Sequence, residues 1–245
     1  MAASYVLRIV VKVMIRLFGC MILLAGCHAS ERPENYFTGS QLDLANAISK
    51  LQLNHVKPLA KKTDLNKPGN QGMTLLFYAL LTAKDNKQNG LKVLSILVSA
   101  GADPVQPVPG MTSVAVFAAK SDSPSYLKAL VDGGMSVNAK YRSTPIIFYT
   151  ANDVTLDNLM FLVERGANVN ASNGVGRTAL MDSIDVMQLD TVNYLLNHGA
   201  NPNAVNNLGV GFSSKLEDKI NNIVDGSLNK KLEEIRLLAI RKGMK

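Results

Sequence analysis

Four glycines, Gly101, Gly134, Gly166 and Gly199, recur at steps of 33, 32 and 33 residues. Each closes a stretch in which leucine and valine return at helical spacing. A unit of that length holds one pair of short helices and cannot bury their apolar faces alone, so it must stack on copies of itself. The two clearest copies run from Thr144-Pro145-Ile146-Ile147 to Gly166-Ala167-Asn168-Val169-Asn170, and from Thr178-Ala179-Leu180-Met181 to Gly199-Ala200-Asn201-Pro202-Asn203. Aligned, the copies give two apolar columns. One is Leu59, Leu97, Leu130, Leu162, Leu195 and Leu238; the other, three residues earlier, is Val56, Leu94, Leu127, Leu159, Val192 and Ile235. Residues three apart share a helical face, so each column predicts a seam buried by the neighbouring repeat.

The period, the Thr-initiated first helix and the helix-ending glycine resemble the ankyrin family. The resemblance implies an all-α ankyrin-repeat solenoid of helix-turn-helix repeats with β-turn fingers, about six repeats including caps, over residues 40–245. Thr144 and Thr178 are expected to cap the following helix, with Pro145 in its first turn, and Gly166 and Gly199 to close helices in the left-handed region. The first unit, with Leu42, Leu44, Ala45 and Ile48 facing Leu53, Val56, Leu59 and Ala60, has Thr63 in place of the glycine and reads as a cap. Pro58 should shorten or kink its second helix. Lys84 to Gly90 reads as a polar loop inserted in the second repeat, and Pro104, Pro107 and Pro109 stiffen the third finger. The last unit turns charged, with Lys230, Lys231, Glu233, Glu234, Arg236 and Arg241, as a solvent-facing cap requires. The chain departs from the family signature Thr-Pro-Leu-His: Phe77, Ala115, Ile147 and Met181 stand where the histidine that ties adjacent turns would be. An array less stable than a consensus one is expected.

The N-terminus carries a separate signal. Arg16 precedes an unbroken apolar run ending in Leu24-Ala25-Gly26-Cys27, the layout of a secretory signal and too short to span a bilayer as a helix. Its end resembles the lipobox of bacterial lipoproteins. This implies a signal peptide over 1–26, lipid on Cys27, and a lipidated tether over 27–39. Met14 would place Met14-Ile15-Arg16 as the short basic head, were it the start. Cys20 and Cys27 are the only cysteines, so the mature chain has no disulfide partner, which is compatible with an oxidising compartment. His28 follows the lipid site, where the resemblance associates Asp with inner-membrane retention. The expected place is therefore the periplasm, anchored to the outer membrane. The formal charge is +7, and Arg8, Lys12 and Arg16 supply three of it. The remainder is too diffuse for nucleic acid.

Catalytic constellations are poorly supported. The histidines are His28, His55 and His198, and His198 suits a helix C-terminus. No metal-ligand spacing occurs. Ser125 to Lys128 and Ser227 to Lys230 form Ser-x-x-Lys tetrads without their companion motifs, and Gly209-Val210-Gly211 lacks the strand and third glycine of a nucleotide loop. A non-enzymatic protein without cofactors, monomeric before it meets its partner, is expected. By the resemblance, that partner is gripped by finger tips and first helices. The candidate contacts are Pro109 and Met111; Lys140, Tyr141, Arg142 and Ser143; Asn173, Val175 and Arg177; and Asn207, Leu208 and Val210. Tyr141, Arg142, Arg177 and Met111 are the expected anchors, since such residues are enriched in interface cores.

An ankyrin array on a periplasmic lipid anchor resembles the immunity lipoproteins that accompany phospholipase effectors of the type VI secretion system. That resemblance implies a protein that binds a lipase toxin and blocks it. A periplasmic ankyrin scaffold assisting another enzyme, such as a catalase, is the alternative.

Overall fold

The computed structural model describes residues 32–83 and 87–245. The expected signal segment, the expected lipid site Cys27 and Lys84 to Asn86 lie outside the described residues. Among the described residues eleven α-helices follow one another: α1 (Gly39–Ser49), α2 (Leu53–Ala60), α3 (Leu75–Thr82), α4 (Lys87–Ser99), α5 (Val114–Ala119), α6 (Ser125–Asp132), α7 (Leu156–Glu164), α8 (Ala179–Asp185), α9 (Leu189–Asn197), α10 (Phe212–Asn222) and α11 (Gly226–Arg241). Two short strands, β1 (Lys140–Tyr141) and β2 (Thr144–Pro145), pair antiparallel between α6 and α7.

Hydroxyls start three of the inner helices. Thr74, Ser113 and Thr178 accept the N–H groups of Phe77, Val116 and Met181 at 3.1, 3.3 and 3.4 Å, filling donors that a helix cannot satisfy internally. In the third repeat the cap is therefore Ser113, one residue after Thr112, and the place of the absent histidine belongs to Val116 instead of Ala115. Thr144 does not cap. It pairs with Tyr141 in the hairpin, and Pro145 leads into a 3-10 turn over Ile146–Thr150. Ile-Ile-Phe-Tyr-Thr is all β-branched or aromatic, side chains that lose rotamer freedom in an α-helix.

The inner elements form one continuous row, α1 on α3 on α5 on the 3-10 turn on α8 on α10. Behind it α2 packs on α4 and α4 on α6, and α9 packs on α11. The column Val56, Leu94, Leu127, Leu159, Val192 and Ile235 is buried along its whole length. In the other column Leu97, Leu130, Leu162 and Leu195 are fully buried, while Leu59 and Leu238 at the ends are only half-buried. At both caps the seam moves on by one position, to Ala60 and Ala239. Gly101, Gly134, Gly166 and Gly199 all take positive φ, between 87 and 111°, the left-handed C-cap that other residues adopt at a cost.

A ladder of asparagines supplies the tie that the missing histidine leaves open. Asn66 Nδ2 donates to Gly101 O at 2.9 Å and its Oδ1 accepts Asp103 N–H at 2.8 Å. Asn138 Oδ1 accepts Asn168 N–H at 2.8 Å. Asn170 reaches Gly199 and Asn201, and Asn203 reaches Gly243 and Lys245, in the same pattern. Val105 holds the corresponding place in the second repeat.

Three expectations need correction. The part of the polar tether from Pro33 onward is docked: Phe37 is 1% exposed and meets Tyr78 edge-on at 5.5 Å, and Asn70 N–H donates to Tyr36 O at 2.7 Å. The aromatic pair in an otherwise polar stretch is the reason, since burying rings outweighs leaving the segment free. The second-repeat insertion is shorter than expected, because Lys87 to Gly90 form the first turn of α4, where Gly90 lets the helix approach Ala83. The last helix is not wholly polar outside, since Leu237 and Ile240 are about half exposed. Pro58 sits within the eight-residue α2 without ending it before Ala60.

Candidate protein-binding face

The fourth repeat is cut short twice. In the fifth and sixth fingers the bridges Ser172 to Thr178 and Val205 to Gly211 each span five residues, whereas β1 and β2 are joined through Arg142 and Ser143 alone. Both of these residues have positive φ, 47 and 59°, a type I′ turn made without glycine or asparagine. Its inner helix is also reduced to the 3-10 turn. The array is consequently notched at its fourth repeat, and a groove of about 440 Å³ lies there, lined by Lys120 of the third repeat, Phe148, Tyr149 and Asn152 of the fourth, and Arg177, Asp182, Asp185 and Val186 of the fifth.

A charge network forms the far wall. Arg177 Nε donates to Asp182 Oδ1 at 2.6 Å, its second arm meets Asp185, and Lys215 Nζ reaches Asp185 from the sixth repeat at 2.6 Å. Partial burial would raise the Asp185 pKa, but the hydrogen bonds and charges of Lys215 and Arg177 outweigh it and hold the carboxyl below its ordinary range. Burial would likewise lower Arg177, and Asp185 and Asp182 turn that shift upward. On the near wall Lys120 Nζ lies 5.6 Å from the Tyr149 ring centroid; Tyr149 in turn lies 6.3 Å from Tyr141 in the fourth finger, outside the lining, where Arg142 Cζ lies 5.3 Å from the Tyr141 ring.

The expected contacts fall into two groups. Pro109, Met111, Lys140, Arg142, Ser143, Val175, Asn207, Leu208 and Val210 are exposed, with Leu208 at 86% and Val175 at 57%. Three are placed otherwise. Tyr141 is buried at 9%, because β1 turns its ring inward onto Tyr149. Arg177 is committed to Asp182 and Asp185. Asn173 folds its side chain back onto its own finger, accepting the N–H groups of Val175 and Arg177 at 3.1 Å. The finger-tip pattern does not point to Lys120, Phe148, Tyr149, Asp182, Asp185 and Val186, which lie on or just after inner helices. The sequence held one sign of them: Arg177, Asp182 and Asp185 are spaced so that one helical turn can bring both acids to the arginine.

The residues set aside as chemistry have structural partners. His198 Nδ1 donates to Tyr194 O at 2.8 Å with the rings stacked at 3.9 Å. Ser125 Oγ shares a hydrogen bond with Ser123 Oγ at 2.8 Å, and Ser227 N–H is held by Asp225 at 2.8 Å. Among the described residues no three His, Cys, Asp or Glu side chains converge to hold a metal.

A family model for ankyrin repeats in three copies matches residues 114–206. The chain is an ankyrin-repeat solenoid. Solved structures of similar fold include the ankyrin repeat domain of Bcl-3, a member of the IkappaB family, at 24% identity and TM-score 0.62 over 83% of this chain and 86% of that one. An ankyrin repeat domain from Acinetobacter baumannii aligns at 24% identity and TM-score 0.57, over 82% and 98%. A chain from the complex of a predatory endopeptidase of Bdellovibrio bacteriovorus with an immunity protein aligns at 21% identity and TM-score 0.53, over 78% and 97%. No curated protein sequence matches significantly. Ankyrin repeats point to a protein partner.

Proposed function

We propose that this protein is a periplasmic, lipid-anchored immunity protein that binds a lipase toxin of a type VI secretion system through its inner helices and fingers and blocks it, performing no reaction itself. The observation that carries the reading is the groove at the fourth repeat together with the exposed apolar side chains Met111, Val175 and Leu208 in the fingers. Exposed apolar side chains and a groove are what a protein partner covers. The lipobox-like Leu24-Ala25-Gly26-Cys27 supports the anchor, which would raise the local concentration of inhibitor where a membrane-directed enzyme works. A solved neighbour drawn from an endopeptidase–immunity protein complex supports pairing of such an array with an enzyme.

The test is co-purification of the chain with a lipase encoded beside it, followed by a lipase assay and by mass analysis of Cys27. Stoichiometric complex, loss of lipase activity and an acylated Cys27 are expected. Tight binding that leaves the lipase active refutes inhibition, and a complex formed with a peptidase in place of the lipase refutes the choice of toxin.

A further inference from the structure

Resting on the reading of this face as protein-binding, we infer that the notch at the fourth repeat seats a protruding acidic loop of the partner, whose carboxylates meet Lys120 on one side and Arg142 on the other. The inference starts from an imbalance of charge. The acids of the groove are already neutralised, Asp182 by Arg177 and Asp185 by both Arg177 and Lys215. Among the described residues no carboxylate lies within ion-pair distance of Lys120, Lys140 or Arg142, and all three are exposed. Lys120 lines the groove, and Lys140 and Arg142 belong to the short fourth finger that Tyr141 joins to the lining residue Tyr149, so this face presents positive charge that no described carboxylate pairs with.

Two of these cations are held in place. Lys120 and Arg142 sit against the faces of Tyr149 and Tyr141, whose rings touch edge to face. A cation resting on a ring is partly desolvated and positioned, yet keeps donors free for a carboxylate. Shape supplies the second constraint. A finger with two loop residues where the two fingers that follow it have five leaves an opening in the row of tips, which admits a projecting segment and excludes a flat surface. Val186, 61% exposed at the groove wall, offers apolar contact to the body of such a loop. The left-handed Arg142 and Ser143, costly for residues with a Cβ, are kept where the opening requires so tight a turn.

The test uses a displayed library of short disulfide-cyclised peptides selected on the full chain, then measured against the double charge reversal K120E/R142E. Both side chains are exposed, and an unchanged thermal midpoint confirms the fold of the variant. Selected peptides are expected to be rich in Asp and Glu. They should bind the reversed variant on the order of tenfold or more weakly and weaken with salt, and exchanging their acids for Lys should restore binding to the variant. Peptides without acidic bias, or bound equally by both proteins, overturn the notch assignment. Binders abolished by Leu208→Asp but indifferent to K120E/R142E overturn it while leaving the protein-binding reading intact, whereas a selection yielding no binder of this face overturns both. Co-sedimentation with phosphatidylglycerol vesicles that depends on Lys120 and Arg142 overturns the acidic loop in favour of lipid.

Discussion

Asn170 grips the repeat that follows it: its Oδ1 accepts the backbone N–H of Asn201 at 2.7 Å while its Nδ2 donates to the carbonyl of Gly199 at 2.9 Å. One side chain thus fixes the register of two successive fingers. Asn170→Ala removes both bonds at an exposed site that water can reach, so the loss is expected to be about 1–2 kcal/mol in urea unfolding. Asn170→Asp should lose at least as much, because it sets a carboxylate oxygen against a carbonyl. The exposed Asn193, in the middle of α9, mutated to Ala is the control and should not lower the midpoint, since Ala favours the helix more than Asn does.

Position along the stack should grade the cost of an identical truncation. Leu162 is fully buried, so Leu162→Ala leaves a cavity and is expected to cost about 2–5 kcal/mol. Leu238 holds the same column at the cap but is half-buried, and Leu238→Ala should cost clearly less. Equal losses at the two sites would contradict the stacked arrangement.

Asn158 is a point where one repeat closes its neighbour. Buried at 1% exposure, it donates from Nδ2 to Ala119 O at 3.0 Å and Ser121 O at 2.7 Å at the end of α5. Asn158→Leu strips those carbonyls of a donor that nothing else in the helix supplies. A loss of about 1–3 kcal/mol in chemical unfolding is expected, and a neutral result would show that water takes over the role.

The period and the apolar columns made the stack legible, because burial of Leu159 and Leu162 follows from helical spacing and the need to cover an apolar face. The glycine C-caps were legible for the same reason: Gly166 and Gly199 follow the last apolar position. What escaped is what depends on pairing across repeats. Tyr141 reads as an exposed finger residue until its partner Tyr149, eight positions on, is folded beneath it. Arg177 reads as a free cation until α8 carries Asp182 and Asp185 to it. Phe37 reads as part of a tether because one adjacent pair of aromatics in a polar stretch shows no periodicity. The asparagine ladder escaped because each rung joins residues between 29 and 42 positions apart.

Asp185 ties stability to pH. Its folded pKa is depressed below the ordinary value of 3.8, so its contribution is fully present above that value and is lost as pH falls through the lower, folded one. The stability difference between the parent and Asp185→Asn, measured by urea unfolding from neutral pH downward, should be largest above about pH 4 and shrink below it. Salt should reduce the difference at neutral pH, since the site is only half-buried. A difference that grows on acidification would contradict the pairing with Arg177 and Lys215.

The two-residue turn of the fourth finger sets stability against recognition. Arg142 and Ser143 both lie in the left-handed region, where Asn-Gly is the sequence that a type I′ turn prefers. The double substitution R142N/S143G removes unfavourable backbone geometry and should raise stability by about 1 kcal/mol, the scale of single left-handed sites occupied by other residues. The same change deletes the guanidinium above Tyr141, so it should weaken a partner that docks in the notch while raising the unfolding midpoint. Ser143→Gly alone separates the two effects, for it relieves one strained residue and keeps the charge. Stability should then rise by part of the full gain with binding unchanged, whereas loss of binding in Ser143→Gly would show that rigidity of the turn, more than the charge it carries, is what the partner reads.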